Sequence, residues 1–197
     1  MLAIMIANGK NFKIDEFNYI IYCKRNGFFN NFFKIFTYLG SYYVLVSACF
    51  VCFVLLFFIK KNKKLALLTA LFFALALLIN LAAKNIIQRS RPEDLMLVEE
   101  FSYAFPSGHA MMSCLIFSVF AYFICKIIKN RPLKVCLIVL FVAIILLIGF
   151  SRIYLGVHYV TDVIAGWLLA GALLLIFVVF ANSIIVIRGD KNEKEIN

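Results

Sequence analysis

The chain has 197 residues, of which 64% are hydrophobic and 15% charged, and its mean hydropathy is +0.98. Soluble domains hold roughly half apolar and about a quarter charged residues, so a soluble globule is excluded, and 22 Phe with 9 Tyr exclude a solvated coil. The net charge of +10 is not a nucleic-acid footprint, because no basic stripe with interleaved aromatics lies outside the ends of the apolar runs. It reads instead as membrane topology and contact with anionic lipids.

In residues 1–40, Lys24 and Arg25 interrupt the best apolar window, so no span is predicted there. Phe17, Ile20 and Ile21, then Phe28, Phe29, Phe32, Phe33 and Phe36, recur near helical spacing. They predict two amphipathic helices in the membrane interface, broken around Asn26-Gly27, with a packed extramembrane cap as the alternative. Met1 to Ala7 has no basic stretch and is too short for a signal peptide.

Five charge-free apolar runs follow: Tyr42 to Ile59, Leu65 to Ala83, Ala110 to Cys125, Val135 to Phe150 and Val163 to Ile187. About 20 residues cross the hydrocarbon core. The third and fourth runs are shorter than that, and they extend back to Ser107 and Pro132, with Lys134 reaching the interface. Lipid offers the backbone no hydrogen-bond partners, so each run must be helical. The predicted fold is an all-α integral membrane bundle of about five transmembrane helices over residues 41–188. An interfacial segment, 1–40, precedes it and a charged cytoplasmic tail, 189–197, follows.

Basic residues set the orientation. Lys60, Lys61, Lys63 and Lys64, the Lys126 to Lys134 loop, and Arg188, Lys191 and Lys194 crowd one end of the spans in short segments. That end is assigned to the cytoplasm, with the C-terminus. The six Cys lie mostly in or at the ends of spans; Cys49 and Cys52 form a lone pair with no second pair and no His nearby to complete a zinc site, and most of the six read as unreactive thiols.

Three polar clusters fall at span ends, all on the opposite, extracytoplasmic face. The first runs from Lys84 to Pro92; a proline disfavours helix before it, which predicts a helix ending at Arg91 with Lys84 two turns back on the same face. Alone it could be an ordinary juxtamembrane basic cluster. The second, Pro106-Ser107-Gly108-His109, opens the third span, where a Ser cap, a Gly and free N–H groups suit a phosphate; simple helix capping is the alternative. The third is Ser151-Arg152 followed by Gly156, His158 and Asp162. If the fifth helix has begun by His158, Asp162 lies one turn on and can hold one ring nitrogen while the other stays free. An interfacial ion pair is the alternative, although ionisable pairs at a span mouth are functional by default. Both His of the chain fall in these clusters, which together offer a nucleophile, an acid and an anion cradle.

Lys84-x6-Arg91-Pro92, Pro106-Ser107-Gly108-His109 and Ser151-Arg152-x5-His158-x3-Asp162 resemble the three-part signature of the type-2 phosphatidic acid phosphatase family, over about residues 40–187. Many integral-membrane members have six spans, against five here. The resemblance implies that His158 attacks phosphorus to form a phosphohistidine and that Asp162 orients it. His109 would protonate the leaving oxygen and then activate water. Lys84, Arg91, Ser107, Gly108 and Arg152 would bind the phosphoryl oxygens, and no metal or other cofactor is required.

Read from the residues themselves, Glu93, Asp94, Glu99 and Glu100 also lack the convergent spacing of a magnesium site. They flank Leu95 to Val98, and this loop is expected to rest on the membrane as a lid. A site at the mouth of lipid-facing helices suits a lipid phosphate partner. The resemblance points to undecaprenyl diphosphate, with phosphatidylglycerophosphate or phosphatidic acid as the alternative. A non-catalytic lipid-phosphate binding or transport module is the rival from another class, and a vanadium haloperoxidase fits five spans poorly. Gly166 and Ala170, with Gly171 beside them, form a small-residue face for a close neighbour, whether within the chain or in a second copy.

Overall fold

The computed structural model describes Ile6, residues 12–92 and residues 95–196, with side chains described as far as residue 185. A 3-10 turn at Lys13–Glu16 leads into α1 (Phe17–Cys23), α2 (Gly27–Tyr38) and α3 (Tyr42–Val54), which continues as a π-helical turn at Leu55–Ile59. Then come α4 (Lys63–Ile87), α5 (Gly108–Ile127), α6 (Arg131–Tyr154) and α7 (Val160–Ile196). Among the described residues five segments are long and apolar enough to cross a membrane: 27–59, 63–87, 108–127, 131–154 and 160–185.

Side-chain caps set where these helices begin. Asn26, Asn62 and Asn130 each accept the backbone N–H three residues on, at 3.1, 3.1 and 3.0 Å, opening α2, α4 and α6. Each cap satisfies a donor that the first helical turn leaves free, worth about 1 kcal/mol. Pro132 sits in the first turn of α6, where its missing N–H costs nothing.

Helix α5 is the axis of the bundle, packed against α7, α6, α4 and α3. Its Leu115, Ile116 and Val119 meet Phe73 and Ala76 of α4 and Ala170 and Phe177 of α7 in one buried core. α7 approaches the start of α5 closely because position 166 is glycine. A Cβ there would stand 2.8 Å from the Ser107 carbonyl oxygen and 3.1 Å from the Met111 nitrogen. The neighbour expected at the small-residue face is thus α5 of the same chain, while Gly171 has open space beside it. Gly166→Val is expected to force α7 off Ser107, lowering stability by roughly 1–3 kcal/mol for an overpacked contact. Thermal melts followed by tryptophan fluorescence in detergent would register this, and an unchanged midpoint would count against the close approach.

Two expected helix boundaries are corrected. α4 stops at Ile87 rather than running to Arg91. Gln88 takes a left-handed conformation (φ 51°) and its N–H returns to the Lys84 carbonyl at 2.9 Å. The turn carries Arg89 and Arg91 off the helix axis towards carboxylates and carbonyls, which the continued helix would have kept apart. Lys84 and Arg91 therefore do not sit two helical turns apart. α7 begins at Val160, so His158 lies in the turn before it and not one helical turn from Asp162 on a common face. Gly156, at φ +73°, makes that turn possible, and a side chain there would collide with the Leu95 carbonyl.

The two N-terminal helices form, with the break at Lys24 to Asn26. The outer side of α2 exposes Phe28, Phe29, Phe32 and Ile35. Their inner side is more committed than expected. Ile21 and Phe33 are buried with Tyr154, Leu155 and Val157, and the Phe33 ring lies 4.5 Å from that of Tyr154. Met96, Leu97 and Val98 pack on the same cluster. The apolar run of the 95–105 loop thus faces the protein rather than the bilayer, and the outward aromatic is Phe101, 95% exposed. Glu93 and Asp94 lie outside the described residues.

Candidate active site

The ends of α4, α5, α6 and α7 meet at one end of the bundle and bring the three sequence clusters together. A cavity of about 250 Å³ is lined there by Lys84, Arg91, Gly108, His109 and His158. It continues between α3 and α4 along Tyr42, Leu45, Val46 and Leu77. Ser107, Arg152 and Asp162 stand behind this lining, each nearly or wholly buried.

Ser107 caps α5, its Oγ accepting from the Ala110 N–H at 3.4 Å, so the free N–H end of α5 faces the cavity beside Gly108. The Ser107 N–H donates to the Asp162 carbonyl at 3.0 Å, which fixes the starts of α5 and α7 to each other. His158 is buried, with Nδ1 3.5 Å from Asp162 Oδ2 and Nε2 3.4 Å from Arg91 Nη1. Burial, and then the charges of Arg152, Arg91 and Lys84, hold its pKa well below the usual imidazole value.

Arg91 is held rigidly. Its Nε donates to the Ser102 carbonyl at 2.6 Å and Nη1 to the Val157 carbonyl at 2.6 Å. Lys84 donates to the Tyr103 carbonyl. Arg152 donates through Nη1 to Thr37 Oγ1 at 2.8 Å and through Nη2 to Glu100 Oε1. Glu100 Oε2 also lies 3.8 Å from Arg91 Nη2, so this loop carboxylate sits between the two guanidinium groups.

Four residues near the site were not anticipated as parts of it. Glu100 was noted only as one of four loop carboxylates. Asn80 lines the cavity one helical turn before Lys84, and a lone amide within an apolar run was its available signal. Ser102 belongs to the covering loop. Arg89 lies inside the Lys84-x6-Arg91 spacing and donates to Asp162 Oδ1 at 2.5 Å.

The PAP2 superfamily profile matches residues 63–185, well over half of the chain. The chain belongs to the PAP2 superfamily. It is similar to phosphatidylglycerophosphatase B of Bacillus subtilis, with 38% identity over 147 residues, 73% of this chain and 70% of that protein. It also resembles an undecaprenyl-diphosphatase of Sulfolobus acidocaldarius, with 31% identity over 121 residues, 58% of this chain and 54% of that one. Among solved structures, a transmembrane PAP2 type phosphatidylglycerolphosphate phosphatase from Bacillus subtilis superposes with a TM-score of 0.80 at 29% identity, over 92% of each chain. Aquifex aeolicus LpxE gives 0.63 at 29% identity, over 83% of this chain and 93% of that one. This PAP2 protein is accordingly a multi-pass, all-helical membrane lipid phosphatase.

Within this PAP2 site Glu100 lies between the Arg91 and Arg152 guanidinium groups, to which the sequence motif assigns phosphoryl binding. Glu100→Gln is expected to tighten competitive inhibition by inorganic phosphate by about tenfold, the worth of one charge-assisted contact. Inhibition constants of the two proteins at one ionic strength would decide it, and equal constants would count against competition by the carboxylate.

Proposed function

We propose that the protein is a phosphatidylglycerophosphate phosphatase that works through a phosphohistidine. The observation that carries this reading is the convergence of His158, His109, Lys84 and Arg91 on a cavity that runs between two membrane-spanning helices, with Arg152 buried behind its lining. Such a shape suits a substrate whose phosphate stays at the interface while its chains remain in lipid. The likeness to the Bacillus subtilis phosphatase, at the identity and coverage given above, favours this headgroup over the undecaprenyl diphosphate that the sequence alone suggested. Undecaprenyl diphosphate stays as a second reading on the weaker Sulfolobus match.

The chemistry follows from the roles that the motif implies. His158 Nε2 attacks phosphorus and the bond from phosphorus to the glycerol oxygen breaks, while His109 gives that oxygen a proton. His109 then takes a proton from a water whose oxygen attacks phosphorus, the phosphorus–Nε2 bond breaks, and inorganic phosphate leaves with His158 restored. Lys84, Arg91, Arg152, Ser107 and the Gly108 backbone hold the equatorial oxygens, where charge spreads in the transition state. Asp162 keeps the His158 ring aimed. We place the site on the extracytoplasmic face and the C-terminus in the cytoplasm, on the basic residues gathered at the other end of the spans. The exposed phenylalanines of α2 then lie in the interface.

The test is phosphate release by the detergent-purified protein, with chelator present, from phosphatidylglycerophosphate, phosphatidic acid and undecaprenyl diphosphate. Fastest release from the first supports the proposal, and fastest release from the last supports the second reading. No release from any of them by folded protein would favour a non-catalytic lipid-phosphate module.

A further inference from the structure

Asp162, the residue read as orienting the nucleophile, is itself held from a distant part of the chain. Its Oδ1 accepts from Arg89 Nη1 at 2.5 Å, and Arg89 Nη2 donates to Asp15 Oδ2 at 2.8 Å. All three side chains are more than nine-tenths buried. Arg89 also lies over the Tyr159 ring at 4.0 Å, which fixes the plane of the guanidinium beside the nucleophile's own turn.

Asp15 does more than balance charge. Its Oδ1 accepts the Thr161 N–H at 3.0 Å, so it caps the first turn of α7, the helix that carries Asp162, from another part of the sequence. The Thr161 hydroxyl lies within hydrogen-bond distance of both its oxygens and accepts from Arg89 Nη1 at 2.7 Å. One helical turn on, Asn18 donates to the His158 carbonyl at 2.8 Å. A buried carboxylate–guanidinium–carboxylate chain is costly to assemble, and its usual use is to impose one geometry.

We propose that Asp15 and Arg89 are positioning residues for the phosphoryl-transfer step: through them the N-terminal segment sets the orientation of Asp162, and so the aim of His158. The inference rests on the functional reading above. With Arg89 shared between two carboxylates, Asp162 Oδ1 is held by the guanidinium while Oδ2 faces His158 Nδ1 at 3.5 Å. Without Asp15, Arg89 has one carboxylate partner, α7 loses its cap, and the guanidinium is free to pull Asp162 from the histidine.

The test uses Asp15→Asn, which keeps the shape and loses the charge, with Arg89→Lys and Arg89→Gln. Rapid-quench measurement of phosphoenzyme formation from radiolabelled phosphatidylglycerophosphate or undecaprenyl diphosphate, whichever the parent hydrolyses faster, reads the transfer step. Steady-state KM and inhibition by inorganic phosphate read whether the cradle is intact. The expected result is slowing of phosphoenzyme formation by roughly ten- to a hundredfold in Asp15→Asn, the scale of one buried charged contact. KM and the phosphate inhibition constant should stay within about twofold. Arg89→Lys should retain more of the rate than Arg89→Gln.

Parental rates in Asp15→Asn and Arg89→Gln would overturn the inference. So would a joint collapse of rate, KM and phosphate inhibition, which would assign Asp15 and Arg89 to folding alone. A His158→Ala control separates the two levels of the argument. If it still releases phosphate, the functional reading fails and this inference with it. If it is inactive while Asp15→Asn is not impaired, only this inference fails.

Discussion

His158→Ala is expected to remove phosphate release from every lipid phosphate by at least about a thousandfold, the scale seen when a nucleophile that works as part of a unit is deleted. The physical reason is that no neighbour can take its place. His109, the other imidazole, is on α5 across the cavity, Arg91 and Arg152 are committed to the Val157 carbonyl and to Glu100, and the Ser102 hydroxyl is held by Arg91. The variant should still fold, because the shortened side chain leaves its carbonyl, and hence the bond from Asn18, in place. Phosphate release and trapping of acid-labile phosphoenzyme would both be measured. Turnover within tenfold of the parent would sink the phosphohistidine mechanism.

Arg152→Ala should come next in size, with kcat/KM falling by about a hundred- to a thousandfold, as when one fixed donor to the transition state is lost. Arg152 is 2% exposed and lies in the last turn of α6, so no solvent cation can substitute for it. The same change leaves Glu100 without its closest partner. Breaking a buried pair costs about 3–5 kcal/mol, and the lower end applies because the Glu100 side chain is 27% exposed. A double variant, Arg152→Ala with Glu100→Gln, should recover most of the melting temperature and none of the activity. Recovery of activity as well would mean that Arg152 serves only to neutralise the loop carboxylate.

The parts of the site that were legible in the sequence are those encoded locally. Pro106-Ser107-Gly108-His109 reads directly as a helix start, because a cap and its donor are three residues apart. The apolar runs located the spans, and they came out short only where charges such as Lys126, Arg131 and Arg152 continue a helix into its terminal turn. Pro92 misled because it marks only where a helix cannot continue. It carries no sign that Gln88, a residue with no special affinity for left-handed backbone, would turn the chain four residues sooner. Asp15, Asn18 and Thr37 were illegible for another reason. Their partners Thr161, His158 and Arg152 lie more than a hundred residues away, and no spacing in a single sequence records such a pairing. The one hint was Asp15 itself, an acid beside the apolar stripe of a segment expected to face lipid.

The loop carboxylate between Arg91 and Arg152 also bears on how the enzyme tolerates its own solvent. Bulk phospholipids are phosphodiesters with one negative charge on phosphorus, and they surround the protein in vast excess over any monoester. Glu100 is a monoanion tethered beside the same two guanidinium groups, so its effective concentration there exceeds that of a free competitor. A diester that displaced it would exchange one single charge for another and gain little. A terminal phosphate brings a second charge and three free oxygens, enough to engage both guanidinium groups and the α5 N-terminus together. On the proposed roles of Arg91 and Arg152, discrimination against the membrane's most abundant headgroups would be set by a charge the protein supplies itself, before any contact with the glycerol or the chains.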